Sequence, residues 1–134
     1  MTIRRSKVWL ADLTYTQQTV SSDIMPAAVG CIATYTAKVL STNPEIRIFK
    51  FPEKLAEALN HDTPNVIGFS NYAWNEDLAC RFAVAMKRRR PRIVTVFGGP
   101  NYPTSVAEQE EFLRRRPMID FYVVKEGTTA SAGH

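Results

Sequence analysis

Four short stretches gather the side chains that chemistry or ligand binding would draw on: Asp12-Leu13-Thr14-Tyr15, Ser70-Asn71-Tyr72-Ala73-Trp74, Gly98-Gly99-Pro100-Asn101 and Glu126-Gly127. Ser70 offers a hydroxyl to a ligand, and the same group serves equally as a helix cap or turn contact. Gly98-Gly99 lets a bulky ligand reach the backbone with no Cβ in the way. It also tolerates positive φ, which a tight turn uses as readily. Tyr72 and Trp74 are large aromatics that either cover a planar ligand or pack at the rim of a core. These groups suit holding a molecule rather than breaking its bonds, and no residue is assigned a catalytic role.

Groups that commonly do such bond-breaking are missing or misplaced. Neither G-x-G-x-x-G nor G-x-x-x-x-G-K-[ST] occurs, so no dinucleotide fingerprint or phosphate-cradling loop is encoded. Of the two histidines, His134 is terminal and His61 follows a helical stretch, at the wrong edge of the expected sheet. Asp12 closes an apolar run as a phosphoacceptor system would require, but the run ending Phe69-Ser70 lacks the needed aspartate, which counts against phosphotransfer. The two cysteines, Cys31 and Cys80, are far apart and build neither a disulfide framework nor a cysteine-ligated zinc or iron-sulfur site. No metal ligand is expected from this chain.

The 134 residues are 45% hydrophobic and 22% charged, which fits one soluble globular domain with a single core. No stretch approaches the roughly 18 uninterrupted apolar residues of a membrane span. The opening Met-Thr-Ile-Arg-Arg-Ser-Lys lacks a signal peptide's apolar core, and the expected setting is cytoplasmic. Much of the +4 net charge sits in Lys87-Arg88-Arg89-Arg90 and Arg114-Arg115-Arg116, each closed by a proline. Both read as solvated helix ends complementing the helix dipole rather than as a nucleic-acid surface, since no interleaved aromatics or nucleic-acid motif accompany them.

The elements that must position these groups alternate along the chain. Strands are expected over Lys7 to Asp12, Glu45 to Phe51, Asn65 to Ser70, Arg92 to Phe97 and Ile119 to Val124. Helices are expected over Ala27 to Leu40, Glu53 to Asn60, Asn75 to Arg90 and Thr104 to Arg116, the third presenting Leu78, Phe82 and Ala85 on one side. Gly30 sits inside the first helical pattern at a cost of about 1 kcal/mol relative to alanine, which close approach to the sheet or to a ligand would explain. This alternation predicts an α/β, flavodoxin-like (Rossmann-like) doubly wound fold, with a five-stranded parallel sheet of order 2-1-3-4-5. In such sheets ligands bind beyond the carboxyl ends of the strands, where the strand order reverses, and the four stretches fall on that edge. The domain is expected to span residues 1–127, with 128–134 a flexible tail or the stub of a truncation. No helix-like segment follows Val124 to complete the layer, so a fragment of a longer protein, or a face covered by a partner, is expected.

Val66-Ile67-Gly68-Phe69-Ser70-Asn71-Tyr72-Ala73-Trp74-Asn75, Val96-Phe97-Gly98-Gly99-Pro100-Asn101 and Ile119-Asp120-Phe121-Tyr122-Val123-Val124-Lys125-Glu126-Gly127 together resemble the amino-terminal cobalamin-binding domain of cobalamin-dependent radical S-adenosylmethionine enzymes. The resemblance runs from about Lys7 to Gly127. It implies that Ser70 and Gly98-Gly99 line the cleft for the cofactor's nucleotide tail, with Thr14, Tyr15, Asn71, Tyr72, Trp74, Pro100, Asn101, Glu126 and Gly127 around it. The family's commoner form follows the serine with x-Leu, where this chain has Asn71-Tyr72. The D-x-H-x-x-G motif, which supplies a histidine to cobalt in mutases and methionine synthase, is absent: Thr14 stands at the histidine position and Gln17 at the glycine. The resemblance therefore implies base-off cobalamin with no protein histidine on cobalt. It also implies a methyl-transfer or related radical reaction, with an iron-sulfur cluster and S-adenosylmethionine held by a separate radical domain, in the same longer chain or as a partner. Two alternatives stay open: a flavin- or nucleotide-binding flavodoxin-like domain, with Tyr72 and Trp74 sandwiching an isoalloxazine, and a non-catalytic interaction domain whose cobalamin site has decayed.

Overall fold

Val66-Ile67-Gly68-Phe69-Ser70 is buried at all five positions, the mark of a strand covered on both faces, and it forms the central strand of a parallel sheet. The computed structural model describes residues 6–13, 45–123 and 129–131. Within them the order is β1 (Lys7–Ala11), β2 (Glu45–Phe49), α1 (Pro52–Leu59), β3 (Val66–Ser70), α2 (Glu76–Arg89), β4 (Val94–Gly98), α3 (Val106–Arg114), β5 (Phe121–Val123) and β6 (Thr129–Ser131). The sheet runs β2-β1-β3-β4-β5-β6. Its first five strands are parallel, in the 2-1-3-4-5 order expected from the sequence. The helix expected over 27–40 lies outside the described residues.

Thr129–Ser131 fall in the stretch expected to be a tail, yet they pair antiparallel with Phe121–Val123 as a short edge strand. Three residues carry too little pattern to stand out in a small, polar sequence. Other boundaries shift for local reasons. β2 ends at Phe49 rather than Phe51, because Phe51 caps α1 and Pro52 occupies its first turn, where a missing N–H costs nothing. α3 starts at Val106 rather than Thr104, because the Ser105 hydroxyl accepts from the Glu108 amide at 3.3 Å and caps the helix.

Alternation along the strands divides the core between two faces. On one face Trp9, Ala11, Phe49, Ile67, Phe69, Phe97 and Tyr122 pack with Leu55 and Leu59 of α1, Ala79, Ala83 and Met86 of α2 and Leu113 of α3. The buried stripe of α2 is thus Ala79, Ala83 and Met86. The expected stripe is displaced by one position: Leu78 and Phe82 pack at the margin and Ala85 is exposed. On the opposite face Val8, Leu10, Val66, Val96 and Val123 form a second buried cluster.

The first basic cluster does more than complement a helix dipole. Lys87 Nζ donates to the Ile93 carbonyl at 2.9 Å and to Asp120 Oδ2 at 2.7 Å, while Asp120 Oδ2 also accepts from the Thr95 amide at 2.9 Å. Arg89 donates to the Leu59 carbonyl and Arg90 to the Thr63 carbonyl, each at 3.1 Å. These side chains clamp the amino edge of the sheet. An open cleft of about 610 Å³ on that edge is lined by Lys7, Asp62, Asn65 and Arg90 among others, a strand's length from the loops singled out above.

Candidate functional site

Strand order reverses between β1 and β3, and the residues that end these strands meet there. Asp12 is 8% exposed and Ser70 1%. The Ser70 hydroxyl donates to Asp12 Oδ1, and it lies 3.3 Å from the Ala11 carbonyl. Among the described residues no lysine or arginine pairs with Asp12. A buried carboxyl group at the end of β1 favours a ligand that brings N–H or O–H donors.

The strand register sets which residues share this end of the sheet. Ser70 pairs with Gly98 and Val96 with Gly68, so Gly68, Ser70 and Gly98 lie on one face of the two central strands. Over the last three residues of β3 that face carries a single small side chain and no bulk. Gly68 has no role in the sequence reading; a glycine within a fully buried apolar strand, two residues before a strand-end serine, is the signal that marks it.

Gly99 serves a different purpose. Its φ is +139°, and a Cβ there would lie 2.5 Å from the Asn71 carbonyl oxygen and 2.9 Å from the Asn71 nitrogen. The β3 and β4 loops touch backbone to backbone at this point, and the Asn71 amide donates to the Gly98 carbonyl at 2.6 Å. Gly99 is therefore required by the loop itself.

Asn71 is fully buried and, besides its amide's bond to Gly98, makes three hydrogen bonds to two neighbours, Asn101 and Tyr122. Its Nδ2 donates to the Asn101 carbonyl at 2.8 Å and to the Tyr122 hydroxyl at 3.3 Å, while its own carbonyl accepts from the Asn101 amide at 3.2 Å. With Nδ2 facing a carbonyl the amide orientation is fixed, and Oδ1 is buried without a partner among the described residues. Tyr122 donates to the Gly99 carbonyl at 2.8 Å and stacks on Tyr102, ring centroids 3.9 Å apart. Burial pushes the Tyr122 phenol far above its ordinary pKa, against a smaller downward pull from Asn71, so it acts as a permanent donor to Gly99. Burial also raises Tyr102.

Asn75, which belongs to the sequence motif but has no role there, ties two loops. Its Oδ1 accepts from the Tyr72 amide at 2.9 Å and its Nδ2 donates to the Leu13 carbonyl at 3.0 Å, holding the chain after β1 against the chain after β3. Tyr72 is buried and its ring stacks face to face on the exposed Trp74, centroids 4.6 Å apart and planes parallel. Burial, then the nearby Asp12 charge, raises the Tyr72 phenol. The two rings occupy each other's faces, which leaves no slot between them for an isoalloxazine.

The structure thus brings Ser70, Asn71, Tyr72, Gly98, Gly99 and Asn101 together around the ends of β3 and β4, with Trp74 and the exposed Pro100 at the rim. Thr14, Tyr15, Glu126 and Gly127 lie outside the described residues. His61 is exposed beyond the end of α1, away from this edge.

No family model matches the chain. It is 28% identical over 114 residues to the 2-(S-pantetheinyl)-carbapenam-3-carboxylate methyltransferase of Streptantibioticus cattleyicolor, a match that takes in 79% of this chain and 16% of that protein. This chain therefore corresponds to about a sixth of that relative's length. Its fold is similar to the crystal structure of a cobalamin-binding protein from Desulfitobacterium hafniense, with a TM-score of 0.59 and 14% identity over 92% of this chain and 55% of the other.

Proposed function

We propose that this chain is a cobalamin-binding domain that holds the cofactor with no protein histidine on cobalt and serves a radical S-adenosylmethionine enzyme, of the methyl-transfer type, whose radical domain lies elsewhere. The observation that carries the reading is the strip of Gly68, Ser70 and Gly98 on one sheet face at the point where strand order reverses. An extended ligand tail fits along the end of β3, in the gap that Gly68 leaves between Leu10 and Val96 and that Ser70 and Gly98 continue.

The polar groups fit the same ligand. The margin of cobalamin carries amide side chains, rich in N–H donors; Asn71 Oδ1 is a buried acceptor in need of one, and the Asp12 carboxylate stands beside Ser70 as another. A flavin ring finds no slot between Tyr72 and Trp74, because the two rings stack on each other. When bound, cobalamin supplies the methyl-carrying or redox chemistry at cobalt. The chain's own residues bind and orient: Ser70, Asn71 and Gly98 receive the ligand, while Gly99, Asn75 and Tyr122 hold the loops in place. Similarity to part of a methyltransferase supports the methyl-transfer type and a separate catalytic domain.

Incubation with hydroxocobalamin, removal of free ligand and an absorbance spectrum test the reading. Retained corrin bands near one equivalent are expected, with no retention of flavin mononucleotide in a parallel sample. Folded protein that retains no corrin would overturn it.

A further inference from the structure

The second arginine cluster is split by the fold. Arg114 and Arg115 reach Glu111 at 2.6 and 2.8 Å on the exposed side of α3, where such pairs contribute little. Arg116 turns inward. Its guanidinium carbon lies 3.8 Å from the Phe112 ring centroid, Nη1 donates to the Phe112 carbonyl at 3.2 Å, and Nη2 donates to Glu76 Oε2 at 3.2 Å. Only 26% of the Arg116 side chain and 23% of the Glu76 side chain remain exposed, so water screens this pair less than the surface ones.

Glu76 stands in the first turn of α2, where the helix terminus favours a carboxylate. Its second oxygen, Oε1, accepts from Asn101 Nδ2 at 3.2 Å. Asn101 in turn exchanges two hydrogen bonds with Asn71, one through each backbone group. A continuous chain of polar contacts therefore runs from the end of α3 to the cofactor edge. The sequence placed Arg116 at the opposite edge, and its backbone is there; its guanidinium is not.

We propose that Arg116 is a positioning residue for the ligand loop. By holding Glu76 in one rotamer it fixes Asn101, and through Asn101 it sets Asn71 and the Gly98-Gly99-Pro100 turn. The identity of the ligand rests on the cobalamin reading, but the strut does not. Without Arg116 the Glu76 carboxylate turns toward water, and Asn101 loses the contact that holds its side chain.

Two measurements on the whole chain test this. Arg116→Met keeps most of the aliphatic stem and removes the guanidinium, with its charge and its contact to the Phe112 ring. Residue-resolved amide exchange is expected to quicken about tenfold at Asn101, the scale of one lost hydrogen bond, while Gln109 in α3 is unchanged. Faster exchange confined to Arg116 and Ile119 would show a local role at the end of α3 and overturn the strut. In hydroxocobalamin titrations the variant is expected to weaken binding about tenfold in the wild-type background and less than twofold in an Asn101→Ala background. Equal losses in both backgrounds would overturn action through Asn101. If Arg116→Met fails to fold, Arg116→Lys is read by the same two criteria, with a smaller shift. Faster exchange at Asn101 in a protein that retains no corrin at all would keep the strut and sink the cobalamin assignment instead.

Discussion

Gly98 and Gly99 are adjacent and chemically identical, yet they answer to different constraints. Gly98 ends β4 opposite Ser70, on the face where β3 carries only Gly68 and Ser70 after Val66. Gly99 has φ at +139° and sits where a Cβ would enter the Asn71 backbone. Residues other than glycine cost about 1–3 kcal/mol in such backbone regions, before any steric overlap is added. Gly99→Ala is therefore expected to lower the unfolding free energy of the ligand-free protein by at least that amount, read as a lower urea midpoint by circular dichroism. A midpoint equal to wild type would mean that the β3 and β4 loops do not touch as described. In the sequence the pair reads as one motif that serves either a ligand or a turn. The structure assigns the turn to the second glycine, because only a third residue, Asn71, decides which Cβ has room. No local pattern in Gly-Gly-Pro-Asn carries that information.

Elements were more legible than contacts, for a physical reason. The near-continuous apolar runs of β3 and β4 mark strands buried on both faces, and proline or a capping serine sets the helix starts to within a few residues. The phase of α2 was harder to read: with Ala79, Leu78, Phe82 and Ala83 all apolar, two stripes compete in the sequence, and the fold buries Ala79, Ala83 and Met86. Clamps between elements were invisible, because they join residues far apart in sequence. One of them, Lys7 with Asp62 at 2.6 Å, ties the start of β1 to the turn after α1. The Lys7 ammonium, then the Thr63 amide, hold the Asp62 carboxyl below its ordinary value of 3.8. In the folded protein this group thus binds fewer protons than in the unfolded chain as pH falls toward 4, and its contribution is full above that pH and lost as pH falls through the lowered value. Both side chains are more than a third exposed, so solvent screens the pair and the contribution is about 0.2–1 kcal/mol. Asp62→Asn is expected to destabilise by that amount at pH 7 and to match wild type at about pH 2–3 in urea melts. A difference that persists unchanged at pH 2 would assign the effect to packing rather than charge.

At the scale of the whole molecule, the question is which side chains can reach a ligand held at the carboxyl ends of the strands. The chain has two histidines, and of these His61 is exposed beyond α1, by the turn that Lys7 and Asp62 clamp at the amino edge. Five-residue strands separate the two edges by about 17 Å. The position after Asp12 and Leu13 where a cobalt-ligating histidine would stand is Thr14, a hydroxyl and a poor partner for cobalt. What the fold places at that edge instead is Asp12 bonded to Ser70, a pair that can accept from a ligand but presents no imidazole. Reduced cobalamin bound to this chain is accordingly expected to give a paramagnetic resonance spectrum without nitrogen superhyperfine splitting from a protein ligand, and the same spectrum in the His61→Ala variant. A nitrogen-split signal that persists when the cofactor's own base is isotopically distinguished would show a protein nitrogen on the metal. The sheet would then have to deliver that nitrogen to an edge where its described residues place no imidazole.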